Sequence, residues 1–489
     1  MLFNSLDFAI FFPIVFVLYW LLSSNLRWRN FLLLASSYVF YGWWDWRFLF
    51  LIVISSLVDF IIGQQIHKTG EKRKKRNYLW ISLFVNLGFL IYFKYANFFI
   101  ETFVDSFRLF GKEIEISTLN IILPVGISFY TFQTLSYTID VYRGQLKPTK
   151  DPLAFFTFVA FFPQLVAGPI ERASHLLPQF YKTYKFNYDQ VKSGLLLMAF
   201  GLFKKMVIAD RAALYVNEVY NNPGDYEGIQ TIIATILFAF QIYCDFSGYS
   251  DIAIGAARTM GFDLMKNFDS PYLSKSITEF WRRWHISLST WFRDYVYIPL
   301  GGSRKGQYRT YLNLFIVFVV SGLWHGAAIT FVLWGVIHGA VIVLEKATKG
   351  LRHKAYNFLG LGSGTFSNKL FFTLITFAIV DFAWIFFRAN TFADSRTIIK
   401  GFFTNNFYEL FGEKLYLIGL KENEFHVLLL AILSLLVVEK MNKTTNLIKM
   451  IGNQGILSRW LIYMFIFFII ITFGIYGANE VSEFIYFQF

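Results

Sequence analysis

Apolar residues in this chain come in long blocks rather than in alternation. Residues 8–22, 31–44, 48–62, 78–93, 229–246, 370–387 and 460–476 are each near the length that carries a helix across a ~30 Å hydrocarbon core. None shows the period of two that a membrane-barrel strand requires. Backbone groups in lipid must be satisfied within the span, so each block predicts a helix. The pattern is that of an all-α, polytopic integral membrane protein.

Other blocks are irregular. Residues 121–142 and 161–172 are apolar but carry Pro124, Gly126, Pro163, Gly168 and Pro169, which predicts kinked or re-entrant helices lining a cavity. Residues 311–344 would extend ~51 Å as one straight helix, so this segment must tilt, bend or break, with Ser321-Gly322 the expected position. Between 277 and 309 the character turns amphipathic. Trp281, Trp284, His285, Leu288, Trp291, Phe292 and Tyr295 follow helical spacing and predict one continuous stripe. Arg282, Arg283, Ser289 and Arg293 lie off it, as on an interfacial or re-entrant helix docked against a bundle.

Composition agrees with membrane residence: 56% of the 489 residues are hydrophobic and 16% charged, where soluble domains carry about 25% charged residues. No Ser- or Gly-rich linker and no internal repeat divides the chain. It reads as a single membrane-embedded domain over 1–489, with core motifs in 120–345 and peripheral N- and C-terminal transmembrane helices. The first span has neither a basic leader nor a small-residue cleavage site and reads as retained. Arg27 and Arg29 follow it, and Lys68 and Lys72 to Arg76 follow the third span, while the second is followed only by Asp45 and Arg47. That bias places the two basic loops in the cytoplasm and the N-terminus outside. The net charge of +13 is therefore read as topogenic and lipid-attracting, not as a nucleic-acid surface. Cys244 is the one cysteine, which excludes an internal disulfide and a cysteine-based metal cluster; a packed thiol is the reading.

Candidate chemistry begins with His325, in Ser-Gly-Leu-Trp-His-Gly near the middle of 311–344. An imidazole at bilayer depth is retained only where it faces protein or a water-filled cavity, and removal from water favours the neutral ring that accepts a proton. His285 interrupts the aromatic stripe and is either a helix anchor or a second active-site histidine. His338 lies ~220° around a continuous helix from His325, which puts it on a different face. His67, His175, His353 and His426 fall in polar surroundings and read as solvated. No carboxylate or third histidine stands at ligand spacing from His325, so no metal is expected, and no Gly-x-Ser-x-Gly elbow supports a serine triad. Asp245, Ser247 and Asp251 lie near membrane depth, with Ser247 and Asp251 on one helical face; they either bind arginines or backbone amides or take a direct part.

Arg282, Arg283, Arg293, Arg304, Lys305 and Arg309 outnumber Glu279 and Asp294 over 279–309, and Gly301-Gly302-Ser303-Arg304-Lys305-Gly306 has the composition of a phosphate-binding nest. An anionic donor would be attracted there.

The motifs Tyr243-Cys-Asp-Phe-Ser-Gly-Tyr-Ser-Asp-Ile-Ala, Phe280-Trp-Arg-Arg-Trp-His-Ile-Ser-Leu-Ser-Thr-Trp-Phe-Arg-Asp-Tyr, Ile298-Pro-Leu-Gly-Gly-Ser-Arg, Gly322-Leu-Trp-His-Gly-Ala and Ala383-Trp-Ile-Phe-Phe-Arg-Ala together resemble the membrane-bound O-acyltransferase family, in its bacterial branch of alginate and peptidoglycan O-acetylation proteins. Pro124-Val-Gly-Ile-Ser-Phe-Tyr and the stretch from Phe162 to Arg172 extend the likeness over most of the chain. The resemblance implies a ring of tilted and re-entrant helices around a central tunnel, with His325 as principal catalytic histidine and His285 as the second. It implies a cytoplasmic thioester donor, acetyl-CoA or another, with no permanently bound cofactor; Arg282, Arg283, Arg293, Arg304 and Lys305 would hold the donor. The acyl group would leave outward for a polysaccharide, beside a separate extracytoplasmic acetyltransferase at the bacterial inner membrane. D-alanyl transfer to teichoic acid and a non-catalytic acetyl or glycan transporter are the alternatives.

Overall fold

The computed structural model describes residues 1–109, 119, 121–166, 168–361, 364–404, 412, 415–445, 447–476 and 484–485. Every regular element among them is helical, and six stretches are long and apolar enough to cross a membrane: Leu26–Lys68, Lys72–Val104, Ile229–Thr259, Ile329–Ala347, Phe366–Arg388 and Ile456–Phe473. The chain divides into two compact units, residues 1–198 with 250–265 and residues 199–249 with 266–489.

In the first unit, helices α1 (Leu6–Leu22), α2 (Leu26–Asp45), α3 (Leu49–Lys68) and α4 (Lys72–Leu90) follow the predicted blocks, and α5 (Ala96–Leu109) continues beyond a π-turn. Local chemistry sets their starts: the Ser5 side chain accepts from the Phe8 amide, and Asn25 accepts from those of Arg27 and Trp28. Helix α6 (Ile127–Tyr142) runs without interruption. Pro124 and Gly126, expected to bend it, precede it instead, with Gly126 at φ 73° where a Cβ would lie 2.9 Å from the Leu165 carbonyl oxygen. Helix α7 (Pro152–Ala160) follows; in 161–172 only Phe162–Leu165 forms a helical turn, and Ala167 lies outside the described residues.

Asp59 of α3 is fully buried and accepts from Ser82 and Asn86 of α4 (Asn86 Nδ2 at 2.9 Å) and from Thr138 of α6 at 3.0 Å. Three donors on one carboxylate clamp three helices where no water competes. Arg29, counted above as a loop charge, is instead buried in the first turn of α2 and donates to the Phe180 and Lys182 carbonyls. His175 is not freely solvated either: half-buried, it pairs with Glu171 at 2.8 Å and Asp263 at 3.4 Å. His67, His353 and His426 are exposed as expected.

The second unit contains α9 (Asp210–Asn221), α11 (Ile277–Arg283), α12 (Ile286–Phe292), α13 (Gly306–His325), α14 (Ile329–Ala347), α15 (Phe366–Arg388), α16 (Glu422–Thr444) and α17 (Ile456–Phe473). Two helices contribute to both units, α8 (Tyr188–Leu202) and α10 (Ile229–Thr259). The candidate site belongs wholly to the second unit.

Candidate active site

The predicted continuous stripe over 281–295 is broken at its centre. Helix α11 ends at Arg283, Trp284 is extended, and His285 takes a left-handed conformation at φ 43°, ψ 56° before α12 begins. A histidine held there carries strain of about 1–2 kcal/mol, which surrounding contacts must impose. Asn267 imposes it. Its carbonyl accepts the Ile286 amide at 2.9 Å, and its Oδ1 lies 3.1 Å from His285 Nδ1, 2.9 Å from Ser287 Oγ and 3.3 Å from the Ser287 amide. Because the Ser287 N–H can only donate, the atom facing it is an acceptor, and His285 Nδ1 must then carry the proton. Spacing missed the break because a left-handed residue leaves no mark on hydrophobic periodicity. Its effect is to turn Trp284 and His285 fully inward, with His285 edge-on to Phe246 at 4.6 Å between ring centres.

Residues 311–344 also break, but at Gly326–Ala328 rather than at Ser321-Gly322, so that His325 is the last residue of α13. Gly322 has a different task. A Cβ there would lie 2.3 Å from the Phe331 carbonyl oxygen, and one on Gly335 would lie 2.4 Å from that of Phe318. The hairpin α13–α14 is thus packed backbone to backbone, as small residues permit between membrane helices. His325 is 3% exposed. Its ring meets Trp324, Trp334 and Phe387 at 4.9, 5.0 and 5.3 Å; Trp384 stacks on Trp334, so the Ala-Trp-Ile-Phe-Phe motif of α15 closes the box. Trp324 also lies 6.2 Å from the His285 ring and so contacts both histidines.

The hairpin overturns the placement of His338. The ~220° offset assumed one helix; with the chain reversed, His338 packs 5.0 Å from the same Trp334 that contacts His325.

A groove of about 620 Å³ opens beside these residues. Trp281, Leu288, Phe292, Leu314, Val317, Phe318 and Ile342 make it apolar, Ser321 lies one turn before His325, and Arg282, Arg293, Lys346, Lys349 and Arg352 supply cations. Of the five cations expected to hold a donor, the structure brings only Arg282 and Arg293 here. Arg283 pairs with Glu279, and Arg304 and Lys305 are exposed in the glycine-rich turn, away from the groove lining. Arg293 is paired with its neighbour Asp294 at 2.8 Å. Lys346, Lys349 and Arg352 escaped notice in the sequence because basic residues after a span read as topogenic. Glu345 ties the two walls together, accepting from the Thr278 amide at 3.0 Å.

The acids of α10 divide as well. Asp245 is 2.7 Å from buried Lys205, which also meets Asp210 at 2.8 Å, and accepts from the Ile485 amide at 2.7 Å. It binds a lysine and an amide where arginines or amides were expected, which makes it an anchor. Ser247 is buried and Asp251 half-buried on the same helix, and Cys244 is a buried thiol.

Residues 149–379 match the sequence profile of the membrane-bound O-acyltransferase family. The probable alginate O-acetylase AlgI of Pseudomonas syringae pv. tomato is 42% identical over 80% of this chain and 72% of its own length. The peptidoglycan O-acetyltransferase of Helicobacter pylori is 36% identical over 82% of this chain and 79% of its own. The teichoic acid D-alanyltransferase of Bacillus subtilis is 30% identical over 43% of this chain and 55% of its own.

Proposed function

The chain belongs to the membrane-bound O-acyltransferase family and is a multi-pass membrane acyltransferase, and from that premise we propose that it moves an acetyl group from a cytoplasmic thioester to the hydroxyl of an extracytoplasmic polysaccharide. Relatives named for alginate and for peptidoglycan support a glycan acceptor. Coverage favours O-acetylation over D-alanyl transfer, since the D-alanyltransferase aligns with less than half of the chain.

The observation that carries the chemistry is His325 at the end of α13, enclosed by aromatic rings, one helical turn beyond a residue lining a cation-rimmed groove. The donor's phosphates lie on Arg282, Arg293, Lys346, Lys349 and Arg352, and its thioester arm runs along the apolar floor toward Ser321. His325 takes the proton of the attacking hydroxyl as its oxygen bonds to the thioester carbonyl carbon. The C–S bond then breaks, and the leaving thiolate recovers the proton from the imidazolium. General-base help of this kind is worth roughly 10²–10⁴ in rate. His285, its Nδ1–H held by Asn267, keeps its Nε2 lone pair in fixed orientation and orders the donor or its neighbours. The enzyme sits in the bacterial inner membrane with its N-terminus outside, as one functional domain, beside an extracytoplasmic acetyltransferase that completes delivery.

The test is turnover of acetyl-CoA by purified protein in detergent. Wild type should release free CoA, and His325→Ala, inserted at normal levels, should lose at least about 10² of that rate. Normal turnover in the variant overturns the assignment. A wild-type protein that carries intact acetyl thioester or glycan across vesicles without releasing CoA supports the transporter instead.

A further inference from the structure

His338 has no part in the reaction above, yet it lies between its two components. Its ring is completely buried. Trp281 Nε1 donates to its Nδ1 at 3.3 Å, and since an indole N–H only donates, Nδ1 presents its lone pair and the neutral ring holds its proton on Nε2. Nε2 meets no protein partner among the described residues. A phenylalanine would fill a similar volume without desolvating a ring N–H. Packing alone therefore does not account for a histidine at this position.

The two neighbours it fixes do different work. Trp281 is a wall of the cation-rimmed groove; Trp334 stands edge-on between His338 and His325, 5.0 Å from each. We infer that His338 is a positioning residue for acyl transfer, holding the Trp281 indole as the groove wall and, through Trp334, the seat of His325. This rests on the reading of the groove as the donor site and of His325 as the base.

The consequence is specific. Losing the Trp281 bond frees an indole that borders the donor, so donor KM rises more than kcat falls. Asparagine places Oδ1 close to where Nδ1 stood and keeps the acceptor; leucine keeps bulk and removes it. In steady-state kinetics of the full-length protein in detergent with acetyl-CoA as probe, His338→Leu should raise KM about tenfold, His338→Asn should return to within about twofold of wild type, and Trp281→Phe should match His338→Leu. The His338→Leu/Trp281→Phe double variant should be no worse than either single one, because both remove one interaction.

Wild-type KM in either His338→Leu or Trp281→Phe overturns the inference, as does equal loss in His338→Leu and His338→Asn, which would mark a mere space-filler. If His338→Leu does not fold, Trp281→Phe and His338→Asn still decide it. His325→Ala measured in parallel separates the two levels: if it turns over normally the parent reading fails, and if it is inactive while His338→Leu is wild type, only the role of His338 falls.

Discussion

Asn267 Oδ1 lies 3.1 Å from His285 Nδ1 and accepts in the same place from the Ser287 hydroxyl and amide, so one side-chain oxygen both starts α12 and orients the imidazole before it. Replacing it should cost stability and activity together. Asn267→Ala leaves buried donors without an acceptor, at about 1–3 kcal/mol each, and should lower the melting temperature and acetyl-CoA turnover together. Asn267→Asp keeps the acceptor and should recover turnover in a kinetic assay to a greater extent than Asn267→Ala.

The backbone-to-backbone hairpin makes a sharper prediction about shape. Gly335→Ala puts a Cβ 2.4 Å from the Phe318 carbonyl oxygen, an overpacking worth about 1–3 kcal/mol or more. Thermal unfolding in detergent should drop by several degrees. Gly350→Ala, where a Cβ meets nothing within 4 Å, is the matched control and should melt as wild type does.

Cations at the groove rim should act on donor affinity through long-range attraction. Arg282→Gln with Lys346→Gln should raise KM for acetyl-CoA by about tenfold at low salt and leave kcat near wild type, and the difference should shrink as ionic strength rises. Arg304→Gln with Lys305→Gln, outside the groove lining, should leave KM unchanged.

Stability of the first unit should fall as pH rises through neutrality. The hydrogen bond to Glu171 raises the His175 pKa, with partial burial opposing it, so protonated His175 contributes stability that is complete below its unfolded value near 6.5 and is lost as pH climbs through the raised folded value. Burial raises the Glu171 carboxyl as well, despite the bond from His175, which also favours the lower pH. Melting temperature measured from pH 6 to 8.5 should decline, and Glu171→Gln should flatten the slope.

Much of this is legible in the sequence. The apolar blocks marked α1 to α4, α10, α15 and α17 because hydropathy over twenty residues is a strong one-dimensional signal. His325 stood out because lipid excludes imidazole. What escaped was set by single backbone angles and by chain reversal: the left-handed His285 split a stripe that spacing joined, and Gly326 to Ala328 folded α14 back so that His338 arrived beside Trp334. The groove cations divided likewise. Arg282 and Arg293 came from the aromatic segment, but Lys346, Lys349 and Arg352 carry the same signature as lysines that merely mark the inner face of a span. Arg29 reversed the error, since a charge assigned to solvent is buried against two carbonyls.

The left-handed backbone at His285 sets function against folding at one position. Asparagine visits that region at a lower cost than histidine. A library screened only for heat resistance should therefore drift from His285 toward asparagine, while one screened for acetyl transfer should keep the imidazole and accept a lower melting point. The same residue would be discarded by one selection and fixed by the other.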